Sequence, residues 1–64
     1  MKGYTIEIQE KGLWLAPELP IYIHARVAIM FGAKYVRAQT KATGFRVVNR
    51  ATNDIEYEEI TRVA

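Results

Sequence analysis

The 64-residue chain contains no cysteine and no serine, and it has a single histidine. Without cysteine there can be neither a disulfide nor a thiolate metal site, and a reducing compartment fits such a sequence. Without serine or cysteine, the common Ser-His-Asp and Cys-His nucleophile arrangements cannot be built. His24 has no partner at a metal-ligand spacing, so we interpret it as a residue at a helix boundary.

Long apolar runs and glycine-rich loops are also missing. No stretch approaches the roughly 20 apolar residues that cross a bilayer, and the glycines are too scattered for a phosphate loop. The opening "MKGYTIEIQE" alternates in polarity at once, unlike a signal peptide. We expect one cytoplasmic, non-enzymatic domain over residues 1–64, with no cofactor, metal, membrane or small-molecule substrate.

Positive charge is concentrated in the middle of the chain. The formal net charge is only +2, but residues 20–53 carry six basic side chains and no acid. The segments on either side carry more acids than bases. An asymmetry of this kind predicts association with a partner and says little about the fold.

Alternating polarity predicts a first β-hairpin. Residues 4–9, "YTIEIQ", place Tyr4, Ile6 and Ile8 on one face. The turn at 10–12 allows Gly12 a positive φ. Residues 13–16, "LWLA", form the return strand, and the prolines of the following "PELP" end it because proline cannot donate to the ladder.

Residues 44–60 predict a second hairpin with its turn at "ATND", where Asn53 tolerates the left-handed region. Its inner face is expected to hold Phe45, Val47, Ile55 and Tyr57. Its outer face would set Arg46 and Arg50 opposite Glu56 and Glu58. Such cross-strand charge pairs help to fix register, and they would neutralise these two cations.

The segment from Ala25 to Lys41 reads as a helix at about 100° per residue. Small and apolar residues then share one side, centred on Gly32, which indicates close approach of the helix to the sheet. Gly44 is expected to cap the helix C-terminus, whereas the N-terminus lacks a capping residue. The opposite side gathers Arg26, Met30, Lys34, Arg37 and Lys41.

The element order is therefore β-β-α-β-β. The natural architecture is a two-layer α+β domain, in which one helix packs on one face of an antiparallel sheet.

The cations Arg26, Lys34, Arg37 and Lys41 are the first candidate site. No acid lies three or four residues away on the helix to balance them, and Met30 among them, with Phe31 at the margin, gives the apolar content of an interaction face. The alternative is an ordinary solvated face that keeps a small domain soluble.

Trp14 is the second candidate. If Leu13 and Leu15 point inward, Trp14 points outward and can anchor a partner. If Trp14 and Ala16 point inward, Trp14 belongs to the core, and this interpretation is the favoured one in so small a domain.

Two resemblances bear on function. Residues 45–59, "FRVVNRATNDIEYEE", resemble a hairpin of the pattern R-V-V-D-x-x-T-G-x-V-x-Y-E that ends many short phage and bacterial proteins, with Asn49 and Asn53 at the usual Asp and Gly. The order of strand, "PIY" at 20–22, helix and "GF" at 44–45 is similar to small phage-encoded inhibitors of bacterial RNA polymerase. Their helix is acidic and this one is basic, so no binding residue is carried over. The resemblance implies a phage accessory protein that acts by binding.

The first hypothesis is thus a protein-binding module that docks on the acidic surface of a larger host protein, through the helix cations, Met30 and one open sheet edge. It would regulate or inhibit a host enzyme in the host cytoplasm. The alternative is a nucleic-acid-binding module whose helix cations contact phosphates. An open sheet edge also allows a homodimer.

Overall fold

The computed structural model describes residues 2–61, which build a four-stranded antiparallel sheet with one helix packed on it. This confirms the predicted two-layer α+β architecture and its element order. The elements are β1 (Tyr4–Glu10), β2 (Leu13–Leu15), α1 (Ala25–Ala38), β3 (Gly44–Asn49) and β4 (Ile55–Ile60).

A two-residue turn joins β1 to β2. Lys11 has φ 52° and Gly12 has φ 78°, and positive φ at both central positions is the mark of a type I′ turn, whose twist matches that of the strands. The prediction for Gly12 is confirmed. β2 ends at Leu15, one residue before the predicted end at Ala16. The chain returns to the sheet at Tyr22, which exchanges two backbone hydrogen bonds with Tyr4 at 2.7 and 2.9 Å.

The strand order is β2-β1-β3-β4, and α1 lies across the two central strands. The predicted inner side of the helix is confirmed, because Ala28, Gly32 and Val36 are its buried residues. The edge strands β2 and β4 extend beyond the cover of the helix. The buried core consists of Ile6, Ile8, Ala28, Val36, Ala42, Phe45 and Val47.

The helix ends at Ala38, three residues before the predicted end at Lys41. Gln39 is already extended (φ −109°, ψ 117°), and the chain leaves the helix so that Ala42 can be fully buried. Gly44 is not a left-handed cap, since it begins β3 without a positive φ. A Cβ atom there would lie 2.6 Å from the Glu59 carbonyl oxygen. At the other end His24 makes no side-chain capping bond, as the poor N-terminal cap predicted.

A register shift between Val47 and Val48 changes the second hairpin. Val47 pairs with Tyr57, whereas Val48 pairs with Ile55, so β4 has one more residue than β3 at this point. Ile55 therefore shares the outer face with Val48, and the prediction that it lies on the inner face is wrong. Side chains on the turn side of the bulge change face, and Ile55 is left 49% exposed.

The turn of the second hairpin is held by its own polar side chains. Asn49 Oδ1 accepts a hydrogen bond from the Ala51 amide at 2.9 Å, and Thr52 Oγ1 accepts one from the Asp54 amide at 3.2 Å. Asn53 has φ 65°, which confirms that it occupies the left-handed region.

Candidate interaction surface

The outward side of α1 gathers basic side chains around an exposed methionine. Arg26, Met30, Lys34 and Arg37 are all exposed and follow one another at intervals of three or four residues, so they lie on one side of the helix. We call these four residues the basic helix face. Lys41 was expected in the same row, but it lies in the turn after the helix, where it is exposed.

The charge of the basic helix face is unbalanced. Within residues 2–61 the one ion pair joins Arg46 to Glu7, on the sheet. No acid lies in the first turn of α1, so none of its cations has a carboxylate partner in the described part of the chain. The predicted surplus of positive charge on the helix is therefore present in the structure.

Apolar surface lies beside these cations. Met30 is 54% exposed and Phe31 is 42% exposed. The Phe31 ring stacks on Tyr22, with centroids 5.5 Å apart and planes at 16°, and Lys34 Nζ lies 5.9 Å from its centroid. This stack holds the ring in place beside the charge. It joins the helix to the segment before it, a contact that sequence periodicity does not report.

Ile23 is the most exposed large apolar residue of the described chain, at 81%, and it lies just before the helix. Sequence reasoning gave it no role beyond a short extended segment. The alternation of "IYI" was the available signal, since Tyr22 packs against the core and its two neighbours do not.

Trp14 lies on the outer face of the sheet, away from α1. Trp14 pairs with Gln9, whereas Leu15 pairs with Ile8, which is buried in the core. Because successive side chains of a strand point to opposite faces, Trp14 points away from the core. The favoured interpretation of Trp14 as a core residue is therefore wrong. The Arg46 guanidinium carbon lies 4.3 Å from its ring centroid, and Trp14 is half-buried. Trp14 and the basic helix face are thus on opposite layers and form no common site.

Arg46 is paired, but through a different strand from the one predicted. Its Nε donates to Glu7 Oε1 at 2.6 Å, across the pairing of β3 with β1. Glu58 is its register partner on the other side, which confirms them as cross-strand neighbours. The sequence shows a carboxylate on each flanking strand and cannot tell which one the guanidinium selects.

The second predicted charge pair is absent from residues 2–61. Arg50 lies exposed in the turn, and Glu56 Oε2 accepts a hydrogen bond from Asn49 Nδ2 at 3.1 Å instead. The extra residue in β4 displaces Glu56 from the regular pairing on which the prediction rested. Of the six basic residues between 20 and 53, Arg46 is the one with an ion pair among the described residues.

Tyr57 and Glu59 form a polar contact on the inner face of β4. Tyr57 Oη donates to Glu59 Oε1 at 2.6 Å. This hydrogen bond, together with burial and the negative charge of Glu59, raises the pKa of Tyr57 above its ordinary value of 10.0.

The described residues contain no group of three or more His, Cys, Asp or Glu side chains arranged to hold a metal ion. Their surface forms no enclosed pocket. No helix among them is both long and apolar enough to span a bilayer. The surface features that remain are the basic helix face, the outer face of the sheet around Trp14, and the two sheet edges.

Comparison with protein-family models, with curated proteins and with solved structures found no match to this chain.

Proposed function

We propose that this chain is a non-enzymatic protein-binding module that docks on an acidic surface of a larger protein through the basic helix face. The observation that carries the proposal is the set of exposed cations on α1 that lack carboxylate partners in the described chain, together with exposed Met30 and Phe31 between them. Unbalanced charge around an apolar centre is the arrangement of a binding surface.

The two kinds of side chain have different tasks. Met30 and the stacked ring of Phe31 would be desolvated at the centre of the contact, where apolar and aromatic anchors carry most of the binding energy. Arg26, Lys34 and Arg37 would lie at the rim and attract the acidic partner. Charges in that position raise the association rate and the specificity more than the affinity.

The resemblance to phage host-takeover proteins supports a narrower form of the proposal. The chain would be a phage-encoded regulator or inhibitor of a host enzyme and would act in the host cytoplasm. The helix of the resembled inhibitors is acidic, whereas the helix of this chain is basic and would require an acidic target surface. An open sheet edge supplies a second means of association, with another copy of this chain.

The test compares two variants with the same change of charge. In the first, Arg26, Lys34 and Arg37 are changed to Glu. In the matched control, three exposed cations away from the helix, Lys2, Lys11 and Arg50, are changed to Glu. Proteins captured from a bacterial lysate by the wild type should be lost with the first variant and kept with the second.

Both variants should show wild-type circular dichroism, because the altered side chains are exposed. If a captured partner is retained equally by the helix variant, the basic helix face is not the contact and the proposal fails. Capture that is lost equally with both variants would indicate attraction by net charge and would contradict a specific docking surface.

Nucleic-acid binding is the second candidate, and the same unpaired cations favour it. Each phosphate contact would add roughly 0.9 to the slope of log affinity against log salt on duplex DNA. Labelled DNA and RNA are titrated at low and moderate salt with the wild type and with the helix variant. Absence of salt-sensitive binding by the wild type would exclude this function.

A further inference from the structure

The two edges of the sheet differ in chemistry. The β4 edge carries Glu56, Glu58 and Glu59 and contains the bulge, and charge and bulges are features that oppose pairing with another strand. The β2 edge, Leu13–Leu15, has no charged residue. It leaves Leu13 66% and Leu15 44% exposed on the helix side of the sheet.

The register of the first hairpin leaves backbone groups of β2 unpaired. Glu10 pairs with Leu13 next to the two-residue turn, and Ile8 pairs with Leu15. In an antiparallel ladder, hydrogen-bonded and non-hydrogen-bonded pairs alternate. Because the pair that closes a two-residue turn is hydrogen-bonded, the N–H and C=O of Trp14 point away from β1, toward the open edge.

We propose that this edge pairs with the β2 edge of a second copy of the chain, antiparallel and centred on Trp14. The Trp14 backbones of the two copies would exchange two N–H···O=C bonds. Leu13 would lie opposite Leu15 of the second copy, with both side chains on the helix side. The contact is self-complementary about a two-fold axis, as the interface of a symmetric dimer must be.

Charge favours this occupant over others. Lys11 lies in the turn that precedes β2, and Glu18 follows the last residue of β2 by three positions; both are exposed. Antiparallel pairing centred on Trp14 brings the basic end of β2 in each copy to the acidic end of β2 in the other. A pairing of two β4 edges would instead bring glutamates together, and like charges on facing strands are destabilising.

The pairing is short, so the dimer is expected to be weak. Stable interfaces bury roughly 1,200–2,000 Å², and three residues of edge strand supply less. Sedimentation velocity and NMR line widths over a concentration series should show a monomer–dimer equilibrium. Changing Leu13 and Leu15 to Lys should abolish the dimer, whereas changing Ile55 and Ile60 on β4 to Lys should leave it intact.

Cross-linking tests the register directly, because the chain has no cysteine of its own. Facing Cα atoms in an antiparallel pair lie about 4.5–5.5 Å apart, a separation that a disulfide can span. A mixture of the Leu13→Cys and Leu15→Cys variants should form a mixed disulfide under mild oxidation. Each variant alone should cross-link far less, since position 13 faces position 15 and not itself.

A chain that stays monomeric up to about 1 mM, the limit of weak association, would overturn the proposal. So would equal cross-linking in the mixture and in each single variant, or loss of the dimer in the β4 variant alone. The proposal is independent of the basic helix face, so the helix variant should dimerise like the wild type.

Discussion

Gly32 and Phe45 are in such close contact that a side chain at position 32 has no room. A Cβ atom there would lie 2.5 Å from Cδ2 of the Phe45 ring, and Phe45 is fully buried. Gly32 is therefore explained by the close approach of α1 to β3, as the sequence predicted. Glycine has a lower helix propensity than a residue with a side chain, and this cost accompanies the close packing.

Changing Gly32 to Ala is expected to destabilise the fold, although alanine favours a helix by about 1 kcal/mol over glycine. Overpacking of a filled core costs about 1–3 kcal/mol, and separations below 3.0 Å to a buried ring fall in the upper part of that range. The free energy of unfolding, measured by urea denaturation, should fall by about 1–2 kcal/mol.

A Phe45→Leu background separates the steric effect from other causes. The smaller side chain leaves space for the added methyl group, so Gly32→Ala should cost less there than in the wild type. Equal costs in the two backgrounds would show that Phe45 is not the obstacle, because the coupling energy of the double-mutant cycle would then be zero.

Changing Lys11 to Asn is expected to stabilise the first hairpin. Lys11 occupies the left-handed region at φ 52°, which is costly for a residue with a long side chain, whereas Asn-Gly is the favoured pair in a type I′ turn. The left-handed conformation costs most L-residues about 1–2 kcal/mol and asparagine less, so the free energy of unfolding should rise by up to about 1 kcal/mol. Gly12→Ala is the matched contrast and should lower the free energy of unfolding. An added Cβ atom touches nothing within 4 Å, so the positive φ alone opposes the alanine. A Lys11→Asn variant no more stable than the wild type would contradict this account.

The spacing of apolar residues along the sequence was enough to predict most of the fold. Alternation placed Ile6 and Ile8 inward, and helical spacing placed Ala28 and Val36 inward, because burial of one face imposes these periods on any small two-layer domain. The prediction for Ile55 was wrong because a bulge adds one residue without changing the letters around it. The end of α1 was misplaced because "QTKA" remains compatible with a helix until the burial of Ala42 is known.

The candidate site was less accessible to sequence reasoning. The spacing of Arg26, Lys34 and Arg37 sufficed to place them together on α1. The position of Trp14 depends on whether the odd-numbered or the even-numbered residues of a three-residue strand face the helix. Because all three residues of "LWL" are apolar, the sequence does not distinguish the two. The contacts of Arg46 depend on the strand order, which places β1 directly beside β3, and strand order is not a local property.

Arg46 makes two contacts through one guanidinium, an ion pair with Glu7 and a cation–π contact with Trp14, so its removal should cost more than the loss of either contact alone. An exposed ion pair contributes about 0–1 kcal/mol, and a cation–π contact contributes about 0.5–1 kcal/mol at an exposed site. Arg46→Ala should therefore lower the free energy of unfolding by about 0.5–2 kcal/mol, and Glu7→Gln by less than that.

Trp14 is the single tryptophan of the chain and reports on this contact by fluorescence. Arg46→Ala should increase quenching by acrylamide, because the guanidinium no longer covers the ring. Arg46→Lys keeps the charge but lacks the planar group that stacks on an aromatic face, so it should give an intermediate result. Quenching that is the same in all three proteins would show that Arg46 does not cover Trp14 in solution.

The Tyr57–Glu59 hydrogen bond predicts a dependence of stability on alkaline pH. The pKa of Tyr57 is raised in the folded chain, first by this hydrogen bond and then by burial and the charge of Glu59. A group whose pKa is higher folded than unfolded contributes stability that is complete below the unfolded value. That contribution is lost as the pH rises through the folded value. The free energy of unfolding should therefore decline above pH 10.0, the ordinary pKa of tyrosine.

Two variants identify the source of that decline. Glu59→Gln removes the negative charge beside the phenol, so the pKa of Tyr57, followed by NMR of its ring protons, should fall toward that of the free side chain. Tyr57→Phe cannot ionise and should lose the part of the alkaline decline that this residue causes. A Tyr57 titration that is unchanged by Glu59→Gln would contradict the assignment, because the carboxylate would then not be the group that holds the proton on Tyr57.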